Sequence, residues 1–441
     1  MQLLQFHRTF LDNFRHTLAL LNHLTTKILC MKKHALLTAT SLLFAAVSFG
    51  AGFQVNYQGL RQVAMGGTGT GWMWDASSIF YNPGGLARLK NIQAYGSVQF
   101  LMINTQYVQT PTGGYSERSK SQVFTPFNVY VGGRLREEGK LALGLGIYTP
   151  FGSGLSWNNN WEGRYVIQSI AMQTIFFQPT LSYKISDAIS LGGGFVYATG
   201  NVKFKRAMPV QDNAGNDGYA ELKGRANGVG LNLGIHIMPT ENVQLGINYR
   251  SQVNMTVRNG DARFVVPAAL SSSFPNTDFK TEVPLPQVFS VGIGVRPVKN
   301  LTLTAEVNWM GWKPYDTLFF DYEDNTPALQ DTKAPRNYKN TVAFRLGANF
   351  KASPRFAVMG GFAYDPTPVA DGFVSPDLPD ADRWLVTTGL TFKATDRLTL
   401  LGALEYGASQ KRDAEYLPEN FNGKYQTKAF IPCIGITYDF R

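Results

Sequence analysis

Very few groups in this chain could carry out catalysis. Its 441 residues include five histidines and two cysteines. His7, His16, His23, His34 and Cys30 all lie within the first fifty positions, a stretch with the grammar of an export signal. The rest of the chain keeps His236 and Cys433. One cysteine cannot close a disulfide within a mature chain, and one His with one Cys falls short of a zinc site. A hydrolase needs a nucleophile activated by a base. His236 would have to be that base, and no Gly-x-Ser-x-Gly elbow lies near it. No nucleotide-binding loop is present. The residues therefore describe a protein that is not an enzyme and uses no metal or cofactor. His236, between Ile235 and Ile237, reads as a buried histidine held by a hydrogen bond, and Cys433 as a small packing residue.

The remaining polar candidates suit binding better than reaction. Arg164, between Trp161 and Tyr165, could grip a carboxylate through paired donors or lie among lipid headgroups. Arg250, Glu306, Arg345 and Glu405 fall on the polar faces of alternating segments, where charges inside a barrel pair with one another or with a plug. Asp380, Asp382 and Arg383 read as a loop ion-pair network. Asn82-Pro83-Gly84 is a turn signal, read here as the turn of a plug. Phe53 is either a packed anchor or part of a gate, and Trp72 and Trp74 read as packing between plug and wall.

The elements that position these residues are strands. Val243, Leu245, Ile247 and Tyr249 alternate with Gln244, Asn248 and Arg250, and Leu301 to Trp309 alternate with Thr302, Thr304, Glu306 and Asn308. A strand sends successive side chains to opposite faces. About fourteen such segments run from 93 to 440. Short turns at 137–138, 186–187, 239–240, 299–300, 353–354 and 395–396 alternate with long links at 109–121, 150–164, 207–218, 259–281, 314–337, 365–382 and 409–423. An even strand count with one short-turn end and one long-loop end predicts an all-β transmembrane antiparallel barrel, with apolar residues facing lipid and short turns in the periplasm. The 44 Gly, 30 Phe and 20 Tyr, with only 16% charged residues, suit many turns and aromatic girdles. No apolar run is long enough for a transmembrane helix.

The N-terminal part divides further. Lys32-Lys33-His34, the apolar run Ala35 to Val47 and Ser48-Phe49-Gly50 form a signal peptide over 31–50, leaving Ala51 as the mature start. Residues 1–30 read as an upstream extension outside the true open frame. Residues 51–91 are rich in glycine and lack alternation, so they form a candidate hatch inside a barrel of residues 92–441. The formal charge is +10 for 41 basic and 31 acidic residues. The first fifty take five of the former and one of the latter, which leaves +6. So mild an excess does not indicate nucleic acid and is compatible with anionic lipid.

Three stretches carry a family resemblance: Ala51-Gly52-Phe53-Gln54, Met65-Gly66-Gly67-Thr68-Gly69 and the run Asp75 to Leu86 around Asn82-Pro83-Gly84. With Pro150-Phe151-Gly152, Trp161 to Tyr165, Gly361 to Asp365 and Pro379 to Trp384, they resemble the FadL-type outer-membrane transporters over about residues 51–440. Where that family usually has Asn-Pro-Ala, this chain has Asn-Pro-Gly. The resemblance implies a fourteen-stranded barrel closed by an N-terminal hatch in a Gram-negative outer membrane. Its cargo would be a hydrophobic small molecule, a long-chain fatty acid or an aromatic hydrocarbon. That cargo would land between outer loops, reach a pocket against the hatch and leave sideways through a kinked third strand, Leu141 to Tyr148, where Gly144 and Gly146 could supply the kink. The expected partners are that ligand and the membrane lipids, with the chain acting as a monomer. An adhesin or structural barrel, and an open general porin, are alternatives that leave the hatch unexplained.

Overall fold

The computed structural model describes residues 52–55, 58–110 and 114–440. The upstream extension, the signal peptide and Ala51 lie outside the described residues. One sheet closes on itself as a barrel of fourteen antiparallel strands. The first seven are β1 (Ile92–Gln99 and Leu101–Gln109), β2 (Ser116–Arg118, Gln122–Phe124 and Phe127–Arg134), β3 (Leu141–Tyr148 and Gly152–Ser156), β4 (Ser169–Lys184), β5 (Ile189–Gln211), β6 (Asp217–Thr240) and β7 (Val243–Arg250 and Val253–Val265). The rest are β8 (Thr277–Leu285 and Gln287–Val298), β9 (Leu301–Gly311 and Thr317–Tyr322), β10 (Thr332–Pro335 and Thr341–Lys351), β11 (Phe356–Asp365), β12 (Arg383–Lys393), β13 (Leu398–Ser409 and Arg412–Tyr416) and β14 (Phe421–Phe440). Neighbours in sequence are neighbours in space. The barrel closes where β1 meets β14, with Ile92 opposite Phe440 and Gln99 opposite Cys433.

The alternation sorts as a membrane barrel requires. Leu303, Val307, Leu231, Leu233 and Phe195 are exposed, while Thr302, Glu306, Asn308, Asn232 and His236 are buried. Apolar groups face outward and polar groups inward, the reverse of a soluble core.

Several long links are shorter than expected. β5 and β6 are joined at 212–216 and β13 and β14 at 417–420, so the links expected at 207–218 and 409–423 are largely strand. Strands also extend into 259–281 and 314–337. Along these lengthened strands the two faces exchange character. On the first part of β5, Leu191, Phe195 and Tyr197 face out, with Ser190 and Gly192 inward. Farther along, Val202 and Phe204 face inward while Asn201, Lys203 and Lys205 face out. The strand continues while its polar and apolar faces exchange sides, because it has passed from the hydrocarbon into the headgroup layer and the water beyond. Alternation of period two is kept, but the apolar residue changes parity.

The third strand is interrupted, though not at Gly144 or Gly146. Both sit in unbroken ladders, opposite Gly132 and Tyr130 on β2 and opposite Thr180 and Gln178 on β4. The interruption falls at 149–151, around Pro150, which has no N–H to give a ladder.

Residues 58–89 make a short helix α1 (Leu60–Ala64), another, α2 (Ser78–Tyr81), and a 3-10 turn (Pro83–Arg88). They pack against inward faces all around the barrel. The wall gives way to them through glycine. A methyl on Gly246 would overlap Thr70 O, one on Gly361 would overlap Gly66 N, and one on Gly389 would lie 2.6 Å from Ala64 Cβ. Gly360 and Gly361 provide a matched test. Gly360 faces outward with only Thr387 O nearby, at 3.9 Å. Gly361→Ala is expected to destabilise the barrel by about 1–3 kcal/mol through overpacking, and Gly360→Ala to leave it unchanged within about 0.5 kcal/mol. Thermal unfolding of the two variants in the same detergent measures the difference.

Candidate functional site: a cavity at the break in the third strand

Buried polar groups hold the N-terminal segment at the short-turn end. The Glu306 carboxylate accepts both Gly69 N–H and Thr70 N–H at 2.8 Å. Arg345 donates to Gly66 O at 3.1 Å and pairs with Asp365 at 2.5 Å. Asn308 joins them, donating to Glu306 and accepting from Arg345. Asn82 spans segment and wall. Its side-chain amide donates to Thr70 O and Ile235 O at 3.0 and 2.9 Å, and its oxygen accepts Gly84 N–H. Gly84 needs its small size: a methyl there would come within 2.8–3.0 Å of Gly234 O, Ser190 O and His236 N. Trp72 packs over Gly294, with Arg296 above its ring at 4.7 Å. His236 is buried, with Nε2 3.1 Å from Gln244 Oε1, and Cys433 is buried with Sγ 3.4 Å from Ile431 O.

The first described residues repair the broken strand. Val55 N–H donates to Pro150 O at 2.8 Å, Gly152 N–H donates to Phe53 O at 3.1 Å, and Gln54 forms an antiparallel bridge with Phe151. Residues 53–55 thus serve as a short strand for β3 where β2 has turned away. Phe53 is buried against Trp312, Tyr315 and Phe151, with ring centroids at 4.8, 5.5 and 6.2 Å. Gly52 N–H donates to Asp380 Oδ2 at 2.8 Å, and Thr367 Oγ1 donates to the same oxygen. Burial raises the Asp380 carboxyl above its ordinary range, outweighing the opposite pull of Arg383.

Beside this repair the wall is open. The β2–β3 ladder runs from Arg134–Ala142 to Asn128–Tyr148 and ends there. The far piece of β3 pairs with β4 alone, and only Lys120 N–H to Ser156 O, at 2.7 Å, rejoins it to β2. A cavity of about 860 Å³ occupies the gap. Its walls include inward-facing Leu101, Ile103 and Thr105, the edges Val123–Pro126 and Thr149–Leu155, and outward-facing Gln173, Lys203 and Arg225. One cavity therefore touches the bore, the gap and the outer face. Toward the short-turn end, the spaces around Phe80 and Arg250 measure only 20 and 30 Å³, enough for single waters.

This closed barrel has relatives. The family described as "Outer membrane protein transport protein (OMPP1/FadL/TodX)" matches residues 41–440. The chain belongs to this family. An outer membrane protein of Neisseria meningitidis serogroup B is 25% identical over 406 residues, covering 82% of this chain and 86% of the relative. The long-chain fatty acid transport protein of Escherichia coli K12 is 19% identical over 398 residues, covering 82% and 88%. Among solved structures, a Pseudomonas aeruginosa FadL homologue superposes with a TM-score of 0.77 at 19% identity, covering 89% of this chain and all of that one. The toluene transporter TodX of Pseudomonas putida gives 0.69 at 13%, covering 87% and 98%. This family member is therefore an outer-membrane barrel of a family that transports hydrophobic molecules, consistent with the non-enzymatic reading.

The structure brings Phe53 to the cavity and Asn82, Pro83 and Gly84 to the wall of β5–β7. Arg164 stands elsewhere, outside the cavity lining. Its Nε donates to Asp217 at 2.7 Å and its Nη2 to Tyr165 Oη at 2.8 Å. The Asp217 bond raises the guanidinium pKa, and the same bond lowers that of the carboxylate. Arg164 is thus already paired and does not reach the cavity as a carboxylate clamp. Gly144 serves as a seat rather than a kink, since a methyl there would lie 2.6 Å from Ile79 Cδ1. Pro150, the Gly52–Asp380 tether and Trp312 were not anticipated. Pro150 between two runs of strand was the available signal. Arg345→Met would leave Asp365 and Glu306 as buried carboxylates without their guanidinium. A loss of about 3–5 kcal/mol is expected, read from urea unfolding in lipid vesicles, with part of it recovered in Arg345→Met/Asp365→Leu.

Proposed function

We propose that this family member takes up hydrophobic small molecules, with long-chain fatty acids as its cargo, and passes them sideways into the membrane. The observation that carries this reading is the single 860 Å³ cavity reaching from Phe53 through the strand-three gap to the outer face. Its size falls in the range of small-molecule sites, and apolar groups from Phe53, Leu101, Ile103, Phe124 and Leu155 line it. The relatives named as long-chain fatty acid transport proteins support the acyl cargo. The toluene transporters among the structural neighbours keep aromatic hydrocarbons as the second reading.

In this scheme residues 51–91 are the hatch. Cargo enters from the long-loop end, where inward faces are apolar, and settles against Phe53. Axial passage would require cargo to cross water-sized spaces lined by Arg250, Glu306 and Arg345. Each CH₂ returned to water costs about 0.8 kcal/mol, so an exit into lipid avoids a cost that grows with chain length. Phe53 and Val55 are held to β3 by the two backbone bonds at Gly152 and Pro150, so withdrawing residues 52–55 widens the gap without breaking the barrel ladder. Phe53 is both anchor and gate in this account. Asn82, Pro83 and Gly84 fix the hatch from which that gate extends.

Phe53→Ala and Asn82→Ala are each expected to reduce uptake of a labelled long-chain fatty acid at least five-fold while the barrel remains folded, as judged by its heat-dependent electrophoretic mobility. Normal transport by both variants would remove the gate assignment. Liposomes bearing the wild-type protein should not swell in sugar solutions, whereas rapid swelling would favour a general porin.

A further inference from the structure

We propose that the outer face of β4–β7, at the mouth of the gap, docks the phosphorylated headgroup of an outer-leaflet lipid. This goes beyond cargo transport and rests on the outer face where the gap cavity opens. The exposed apolar belt ends at Tyr197 on β5 and Val229 on β6. Four to six residues farther along stand Lys203 and Arg225, roughly 10–15 Å higher once strand rise and tilt are counted. With long loops to the outside, that is headgroup level in the outer leaflet.

Pairing concentrates cations there. Lys203 lies opposite Lys223, and Asn201 opposite Arg225. Like charges directly across a ladder are unfavourable unless an anion joins them. Glu221 supplies one such anion, 2.8 Å from Lys203 Nζ and 2.5 Å from Lys223 Nζ. Lys205 lies over the Tyr219 ring at 4.3 Å, and Arg263 and Asp261 face Glu221 and Lys223 from β7. The five cations Lys203, Lys205, Lys223, Arg225 and Arg263 thus meet two carboxylates, Glu221 and Asp261. On β8 the signs mix again, with Asp278, Lys280 and Glu282, so the basic excess stops at β7. Among the described residues, the Arg225 guanidinium has no ion-pair partner. Lys203, Lys223 and Arg225 border the outer end of the gap cavity.

A phosphate supplies what this strip lacks. It carries more than one negative charge and several acceptors, which matches clustered Lys and Arg donors at a membrane surface. The acyl chains of the same lipid would run down the belt formed by Phe195, Tyr197, Val229 and Leu231. The strip is on the lipid side of the wall, where a resident lipid has continuous access and cargo only transient access. A lipid seated there would stand over the gap.

The test uses full-length protein extracted from outer membranes in mild detergent, with retained phosphate-bearing lipid measured by native mass spectrometry. Lys203→Gln/Glu221→Gln/Lys223→Gln/Arg225→Gln removes the three cations at the cavity mouth together with Glu221, the carboxylate that bridges the two lysines, and leaves Asp261 opposite a neutral amide at position 223. At least a ten-fold loss of retained lipid is expected. Lys393→Gln, at the opposite end and paired with Asp396, should lose none. Arg225→Gln alone, a surface change compatible with folding, should lose about three-fold. Wild-type protein in nanodiscs should retain the phosphorylated lipid and release its dephosphorylated form. Equal retention by the variants, or of the dephosphorylated lipid, overturns the proposal. So does loss of fatty-acid binding with lipid retention intact, which would assign the strip to the cargo carboxylate.

Discussion

The backbone of residues 64–84 lies in direct contact with the inner wall, and the rest of the molecule is arranged around that contact. It is possible only because inward positions on β6, β7, β8, β10, β11 and β12 are glycine where the segment passes. Glycine costs a strand some stability and packing. Here the missing side chains leave room for a second chain at backbone distance, and its exposed N–H groups then find partners in the wall. Glu306 accepts two of them, and Thr387 accepts Gly66 N–H. A buried carboxylate in a bore would otherwise be a liability. Held by two backbone N–H groups and Asn308, with Arg345 nearby, it becomes the fixed point of the segment.

From that fixed point the interior divides into two regions. Near the short turns the inward faces are polar and filled by the segment, and the remaining spaces admit single waters. Toward the long loops the strands leave the membrane, their faces exchange polarity, and the inward side becomes apolar. The cavity forms at the boundary, where Pro150 breaks β3 and residues 53–55 take the place of β2. The Gly52–Asp380 bond and the buried Arg336–Asp377 pair, at 2.8 and 3.0 Å, tie the outer loop 366–382 to this boundary. The gap, the loop and residues 52–55 are therefore one mechanical unit.

Much of this was legible in the residues. Period-two alternation placed fourteen strands and the inward directions of Glu306, Arg345 and His236. The glycine-rich stretch around Asn82-Pro83-Gly84 marked a segment outside the wall. What escaped has physical causes. The ends of β5 and β6 read as loop because Pro209, Asp212, Asn213 and Gly215 are turn residues, whereas the link itself occupies 212–216. The break was sought at Gly144 and Gly146, since glycine signals irregularity. Those glycines instead make space for Ile79, and the residue that cannot join a ladder is Pro150. Arg164 looked free because its partner Asp217 lies fifty-three residues away in sequence, and pairing across such a distance leaves no local trace.

The central claim is that hydrophobic cargo leaves through the gap between β2 and β3 while the bore stays blocked. Phe124 and Gly154 face each other across that gap, close enough that a methyl on Gly154 would overlap the Phe124 ring. A disulfide between Phe124→Cys and Gly154→Cys would staple it, while Cys433 stays buried on β14. Transfer of a fluorescent long-chain fatty acid into the bilayer of reconstituted vesicles is then measured before and after reduction. The account predicts little transfer in the oxidised protein and recovery to the unstapled rate on reduction. Equal transfer in both states would contradict it.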